Sequence, residues 1–337
     1  MSLSSTDSLG ALSYQIMDSE FDSESSWITV MCRASRFQIT ISLKGLRGSC
    51  FELEYSELVA KVDDIDGGAD DDYEALCSWL VKPCLSYFRE CTLQILTDIT
   101  FEAFYYPLTH YMKLIVSGAS LYPKATRDRH TLNPLALMIP SRDIPQHPRV
   151  CYSKASDIQI VPATTEEAYD YMSELPRKAR ISDGTIKFFN PAIDKRQIIR
   201  EISTHSRIIS AGLKNKIRVA NIHSIVISKD GKMTIGLLFD LIPSIGESLQ
   251  SLQYKLAVEH HTKWREQVTA IIKELHSHDI VWGDVYPGNI VIDKNFDAWV
   301  VDFGGGWIEE FVQRKKAGTK EGDWQGLRKI FEEWITR

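Results

Sequence analysis

Near the C-terminal end of this 337-residue chain, Asp284 is followed five positions later by Asn289, and Asn289 thirteen positions later by an Asp302-Phe303-Gly304 triplet. Between them lie two apolar runs, Ile290-Val-Ile and Ala298-Trp-Val-Val, separated by a turn-forming stretch. Two such runs with a turn between them predict a hairpin, and a hairpin returns Asp302 beside the loop that carries Asp284. Taken singly, Asp-Val-Tyr-Pro-Gly-Asn is a turn whose side chains cap its own backbone, and Asp-Phe-Gly occurs by chance in many sequences. The joint spacing is what restricts the fold.

The sequence upstream of this segment adds order. Short strand candidates at Asp157-Ile-Gln-Ile-Val-Pro and Ala179-Arg-Ile-Ser are followed by a turn at Asp183-Gly184 and an apolar strand, Thr185-Ile-Lys-Phe-Phe189. Beyond Pro191, Ile198, Ile199, Ile202, Ile208 and Ile209 recur at helical spacing until Gly212, which places Glu201 on a helix following the Lys187 strand. Ile225 to Phe239 reads as a second hairpin closed at Asp230-Gly231. Trp264, Val268, Ile271, Ile272 and Leu275 mark one face of a helix ending just before the Asp284 segment, and Trp324, Leu327, Phe331 and Trp334 mark the core side of a last helix.

A catalytic loop D-x-x-x-x-N followed by D-F-G, behind a strand lysine and a helix glutamate, resembles the protein-kinase superfamily, including its aminoglycoside-type small-molecule phosphotransferases. The ending Asp-Phe-Gly-Gly-Gly-Trp, with Gly-Thr-Lys-Glu-Gly-Asp-Trp further on, looks like a group of fungal kinase-like proteins of mostly unassigned activity, in which the later acid, Asp323, begins a helix supporting the catalytic loop. The resemblance implies an α+β chain: a bilobal protein-kinase-like fold with a β-rich N-lobe (151–244) and a reduced helical C-lobe (245–337), preceded by an α/β N-terminal domain. It implies ATP and Mg2+ as cofactors. Asp284 and Asn289 become catalytic residues, Asn289 and Asp302 the metal ligands, and Lys187 the holder of the nucleotide phosphates, paired with Glu201; with Asp302, these two form the cofactor-binding set. The chemistry suits these residue types, because magnesium takes hard oxygen ligands while a free carboxylate accepts the proton of an attacking hydroxyl.

Departures from the family pattern bear on function. No glycine-rich phosphate loop precedes Lys187; the stretch from Pro162 to Pro176 has no glycine at all. Trp282 stands where protein kinases have His, and Tyr286 where serine/threonine kinases have Lys. With only 33 residues after Gly304 and no A-P-E segment, a protein substrate is disfavoured and a small-molecule acceptor expected. Two readings follow. One is an ATP/Mg-dependent phosphotransferase acting on a small molecule; the other is a kinase fold repurposed as a binding module, or as another group-transfer or ligating enzyme of fungal secondary metabolism.

The first half reads as a separate unit. Residues 1 to 24, rich in Ser and Asp, have the composition of a flexible tail, and 25–150 that of an accessory domain ending in a proline-rich connection (Pro134, Pro140, Pro145, Pro148). Trp27-Ile-Thr-Val-Met and Phe37-Gln-Ile-Thr-Ile-Ser-Leu alternate as paired strands do. The acidic run Asp63 to Asp72 misses calcium-loop spacing and reads as a solvated loop capping a helix from Tyr73, with a break at Pro83. Residues 93 to 125 read as strand-like and aromatic. With 44% apolar residues the chain can bury a large core, and a net charge of -6 does not point to nucleic acid. The start has no basic, apolar leader, no run spans a bilayer, and six cysteines lack any C-x-x-C pair, so a cytoplasmic protein with reduced thiols is expected.

Overall fold

The structure, a computed structural model, describes residues 3–6, 13–32, 35–63, 69–91, 99–130, 132, 137–147, 149–161, 176–244 and 248–336. It is a mixed α and β protein whose N-terminal region is β-rich. Two compact units divide it: Met1–Ala136 with Gln159–Pro176, and Leu137–Ile158 with Arg177–Arg337. The chain thus passes between the units before Leu137, before Gln159 and after Pro176, rather than once after residue 150. Residues 139–140, within the proline-rich stretch, pair with a strand of the second unit, which is why that stretch is no simple linker. Among the described residues no helix is long and apolar enough to cross a membrane.

The first unit is built on a six-stranded sheet in sequence order: β1 (Leu3–Thr6), β2 (Ser13–Glu20), β3 (Ser25–Cys32), β4 (Ser35–Ser42), β5 (Leu108–Ser117) and β6 (Ser120–Ala125). The expected tail is therefore corrected. Residues 13–20 pair along β3 from Tyr14 opposite Cys32 to Glu20 opposite Trp27, because a strand needs a backbone partner more than an apolar composition. All neighbours are antiparallel except β4 and β5, which run parallel and so require a long crossover. That crossover holds α1 (Phe51–Asp63), α2 (Ala69–Val81) and α3 (Leu85–Cys91), with Pro83 in a tight turn between the last two as expected. Asp70, Asp71 and Asp72 occupy the first turn of α2, where negative charge meets the positive end of the helix; the rest of the acidic run, 64–68, lies outside the described residues. Period-two alternation sends Ile28, Val30, Phe37 and Ile39 to the helices, where they meet Leu80 and Phe88. Burial in that core pushes the Cys84 thiol up to about 12 and that of Cys77 to about 11, so both stay protonated. Residues 101–105, expected as strand-like, form a helical turn capped by Thr100, whose Oγ1 accepts from the Ala103 amide at 3.1 Å.

In the second unit, β7 (Ile139–Pro140), β8 (Cys151–Lys154), β9 (Lys178–Arg180), β10 (Ile186–Pro191), β11 (Ile222–Ile227) and β12 (Met233–Asp240) share a sheet in which β8, β11, β12, β10 and β9 lie side by side and β7 joins β12. The β9–β10 and β11–β12 hairpins stand where their Asp-Gly turns predict, with Gly184 and Gly231 at positive φ. Between them runs α4 (Lys195–Ser210), started by Asp194, whose carboxylate accepts from the Gln197 amide at 2.9 Å, and ended at Gly212 (φ 69°). Its Ile198 and Ile202 pack on Ile225 and Leu237 of the sheet. A second core joins α5 (Val258–Ser277), the hairpin β13 (Ile290–Ile292) and β14 (Ala298–Val300), and α6 (Lys320–Arg328). The predicted α5 face, from Trp264 to Leu275, is buried throughout. Leu327 on α6 and Phe331 just past its end are buried, but Trp324 is exposed, with an edge-on contact to His276, so that aromatic is surface rather than core.

Candidate active site

The hairpin β13–β14 forms with Ile290 opposite Val300, and it brings the two ends of the motif together. The Val301 amide donates to Asn289 O at 3.0 Å. Trp282, wholly buried, donates its indole Nε1–H to Val301 O (3.0 Å) and Asp302 O (3.1 Å). Trp282 thus pins the loop to the strand that delivers Asp302. From the other side, the Asp323 carboxylate accepts from the amides of Trp282 (2.9 Å) and Gly283 (2.8 Å) and sits 2.8 Å from His276 Nε2. Asp323 is 1% exposed, a burial that a carboxylate tolerates only with such partners.

Within this frame the Asn289 amide nitrogen donates to both Asp284 O (3.0 Å) and Asp284 Oδ2 (3.1 Å). Two acceptors on one nitrogen fix the amide's orientation, since the reversed amide would face oxygen with oxygen. Its Oδ1 is left without a hydrogen bond among the described residues. Burial raises the Asp284 carboxyl above its ordinary range and nearby Glu201 raises it further, while the Asn289 bond and the Arg200 charge oppose this. Tyr286 lies close to both acids: burial raises its hydroxyl, followed by the charges of Asp284 and Asp302. A Cβ on Gly306 would lie 3.0 Å from each oxygen of Asp284, so the glycine run after Asp302 passes directly against the candidate base.

Asp302 adopts φ 59°, rare for a residue with a side chain. Its carboxyl is raised to about 7, by loss of water first and by the Glu201 charge second, against a bond from the Gly304 amide. Water still reaches one side of this residue, which moderates the shift in energetic terms.

The expected Lys187–Glu201 pair is not formed. Strand register sets Lys187 opposite Asp240, and Lys187 Nζ lies 2.8 Å from Asp240 Oδ1. Glu201, 2% exposed, uses one oxygen on His205 Nε2 at 3.1 Å, and its Oε2 has no hydrogen-bond partner. A Cβ on Gly304 would lie 3.1 Å from Asp302 Oδ1 and 3.4 Å from Glu201 Oε2, so both oxygens border the same small space. The glutamate of α4 therefore addresses Asp302 rather than the lysine.

Two participants were not legible in the sequence. Asp240 follows from strand register, which no local pattern encodes. Arg200 donates to Phe303 O (2.6 Å), Trp282 O (3.0 Å) and Val281 O (3.4 Å), joining α4 to both motif segments at once. Its partners are backbone carbonyls, which carry no side-chain signature. Gly283, at φ 81°, is required here on two counts, since a Cβ would also overlap the Arg200 guanidinium.

The glycine-free stretch upstream of Lys187, apart from Pro176, lies outside the described residues. Among the described residues no three His, Cys, Asp or Glu side chains are grouped to hold a metal ion. The free Asn289 carbonyl, the accessible Asp302 carboxylate and the unpartnered Glu201 oxygen are nonetheless the hard donors that magnesium accepts, so these residues fit such an ion. No protein-family model matches the chain, and no curated protein matches it.

Proposed function

We propose that the second unit has a bilobal protein-kinase-like fold and is an ATP- and magnesium-dependent phosphotransferase acting on a small molecule. The observation carrying this reading is the Asn289 clamp on Asp284, made while a hairpin delivers Asp302 beside the same loop. Asp284 is held by one oxygen, leaving the other to accept a proton from an acceptor hydroxyl as its oxygen bonds to phosphorus and the nucleoside diphosphate leaves. Its raised proton affinity makes it a stronger proton acceptor than an exposed carboxylate. Asn289 Oδ1 and Asp302 would hold magnesium, which on binding offsets phosphate charge. Arg200 and Asp323 keep the loop in register from opposite sides. Trp307, exposed just beyond the glycine run, offers a flat apolar surface to an acceptor.

A repurposed kinase fold is the second reading, favoured by one observation: Lys187 is engaged by Asp240, not Glu201. Thermal melts with millimolar ATP and magnesium separate the two. The phosphotransferase reading requires a rise in Tm with both present, and turnover that Asp284→Asn removes without removing the rise. A chain that ignores nucleotide contradicts it.

A further inference from the structure

Glu201 is the most anomalous group in the second unit. It lies on α4, 2% exposed, with His205 on one oxygen and the Asp302 carboxyl, which brings no satisfied hydrogen bond, near the other. A carboxylate oxygen removed from water without a donor is costly, and a bound cation is one species that would satisfy it. Lysine is not that species, since Lys187 is held by Asp240 across the sheet. Arg200, the next residue on the helix, spends its guanidinium on three carbonyls. What faces Glu201 Oε2 is another carboxylate: both it and Asp302 Oδ1 border the space that a Cβ on Gly304 would enter, at 3.4 and 3.1 Å. Asp302 is open to water, which gives that space an entrance.

We propose that Glu201 and Asp302 together ligate a divalent cation, with Glu201 serving as a buried anionic ligand rather than as the partner of Lys187. This deepens the proposed function and rests on its assignment of Asp302 as a metal ligand. Two carboxylate oxygens form a harder and more negative pair than one acid and one amide. Such a site binds the ion before nucleotide arrives, because its charge does not depend on phosphate oxygens. Gly304 keeps the space clear, since any side chain there would meet both oxygens.

The test is Mn2+ titration of the full chain without nucleotide, followed by electron paramagnetic resonance of free Mn2+ and by water-proton relaxation of bound Mn2+. The expected result is one saturable site, weakened at least tenfold by Glu201→Gln and by Asp302→Asn and unchanged by Glu259→Gln on exposed α5 surface. Where Glu201→Gln still binds weakly, relaxation should report one more coordinated water than in the wild type. That second reading stays informative if the variant is less stable. Equal Mn2+ affinity and hydration in wild type and Glu201→Gln overturns the inference while leaving Asp302 as a ligand. No Mn2+ binding by the wild type also overturns it. The phosphotransferase reading fails separately, through absence of stabilisation by ATP with magnesium.

Discussion

Asp323 and Glu201 are both buried carboxylates of the second unit, 1% and 2% exposed, but they are treated oppositely. Asp323 has a partner for each oxygen: the Gly283 amide on one, and the Trp282 amide with His276 on the other. Glu201 has one hydrogen bond, to His205, and its other oxygen has no donor and stands beside the Asp302 carboxyl. The satisfied carboxylate of Asp323 holds a loop, and the unsatisfied oxygen of Glu201 is the basis of the proposed cation site. The comparison separates the supporting side of the site from its reactive side, and it predicts that substitutions on the two sides fail differently.

The largest effect is expected on the reactive side. Asp284→Asn keeps the shape of the loop and should reduce turnover by roughly 10²–10⁴-fold with little change in Tm, measured by phosphate transfer and by melting. On the supporting side, Asp323→Ala orphans two buried amides and should cost about 3 kcal/mol in urea unfolding, with activity lost through disorder of the loop. If Asp323→Ala were as stable as wild type, the distinction between the two acids would collapse.

Smaller effects sharpen it. The Asp302 carboxyl is raised from an ordinary 3.8 to about 7. Below about pH 4 both folded and unfolded states are protonated. Between about 4 and 7 only the folded state keeps its proton, so this group's contribution to stability declines as pH rises and is gone above 7. Asp302→Asn, uncharged throughout, should lose that decline and exceed wild type by about 1 kcal/mol at pH 8 without divalent cations, a value discounted for solvent screening. The smallest stability change belongs to Lys187→Met: its partner Asp240 has a side chain 48% exposed, so removing the pair should cost under ~1 kcal/mol while weakening nucleotide binding.

How much was legible depended on whether the signal was local. The isoleucine face of α4, the Trp264 to Leu275 face of α5 and the Asp-Gly turns at Gly184 and Gly231 follow from periodicity and turn chemistry within short windows. The convergence of Asp284, Asn289 and Asp302 was legible too, because a short hairpin between them makes a distant contact from near neighbours in sequence. Non-local choices were not. Strand β2 depends on pairing with β3 and sits in a Ser- and Asp-rich stretch that conceals it, and Lys187 takes Asp240 through a register fixed by two hairpins and a helix between them. Arg200 binds carbonyls and so leaves no pairing pattern at all.

The most direct test of the central claim is the Tm of the wild-type chain with ATP alone, magnesium alone and both together, repeated for Asp302→Asn. The phosphotransferase account predicts a clear rise with ATP and magnesium together in the wild type, since a ligand at 100 times its Kd contributes about 2.7 kcal/mol, and loss of most of that rise in Asp302→Asn. A wild-type Tm unmoved by millimolar ATP and magnesium, or an undiminished rise in Asp302→Asn, would contradict it.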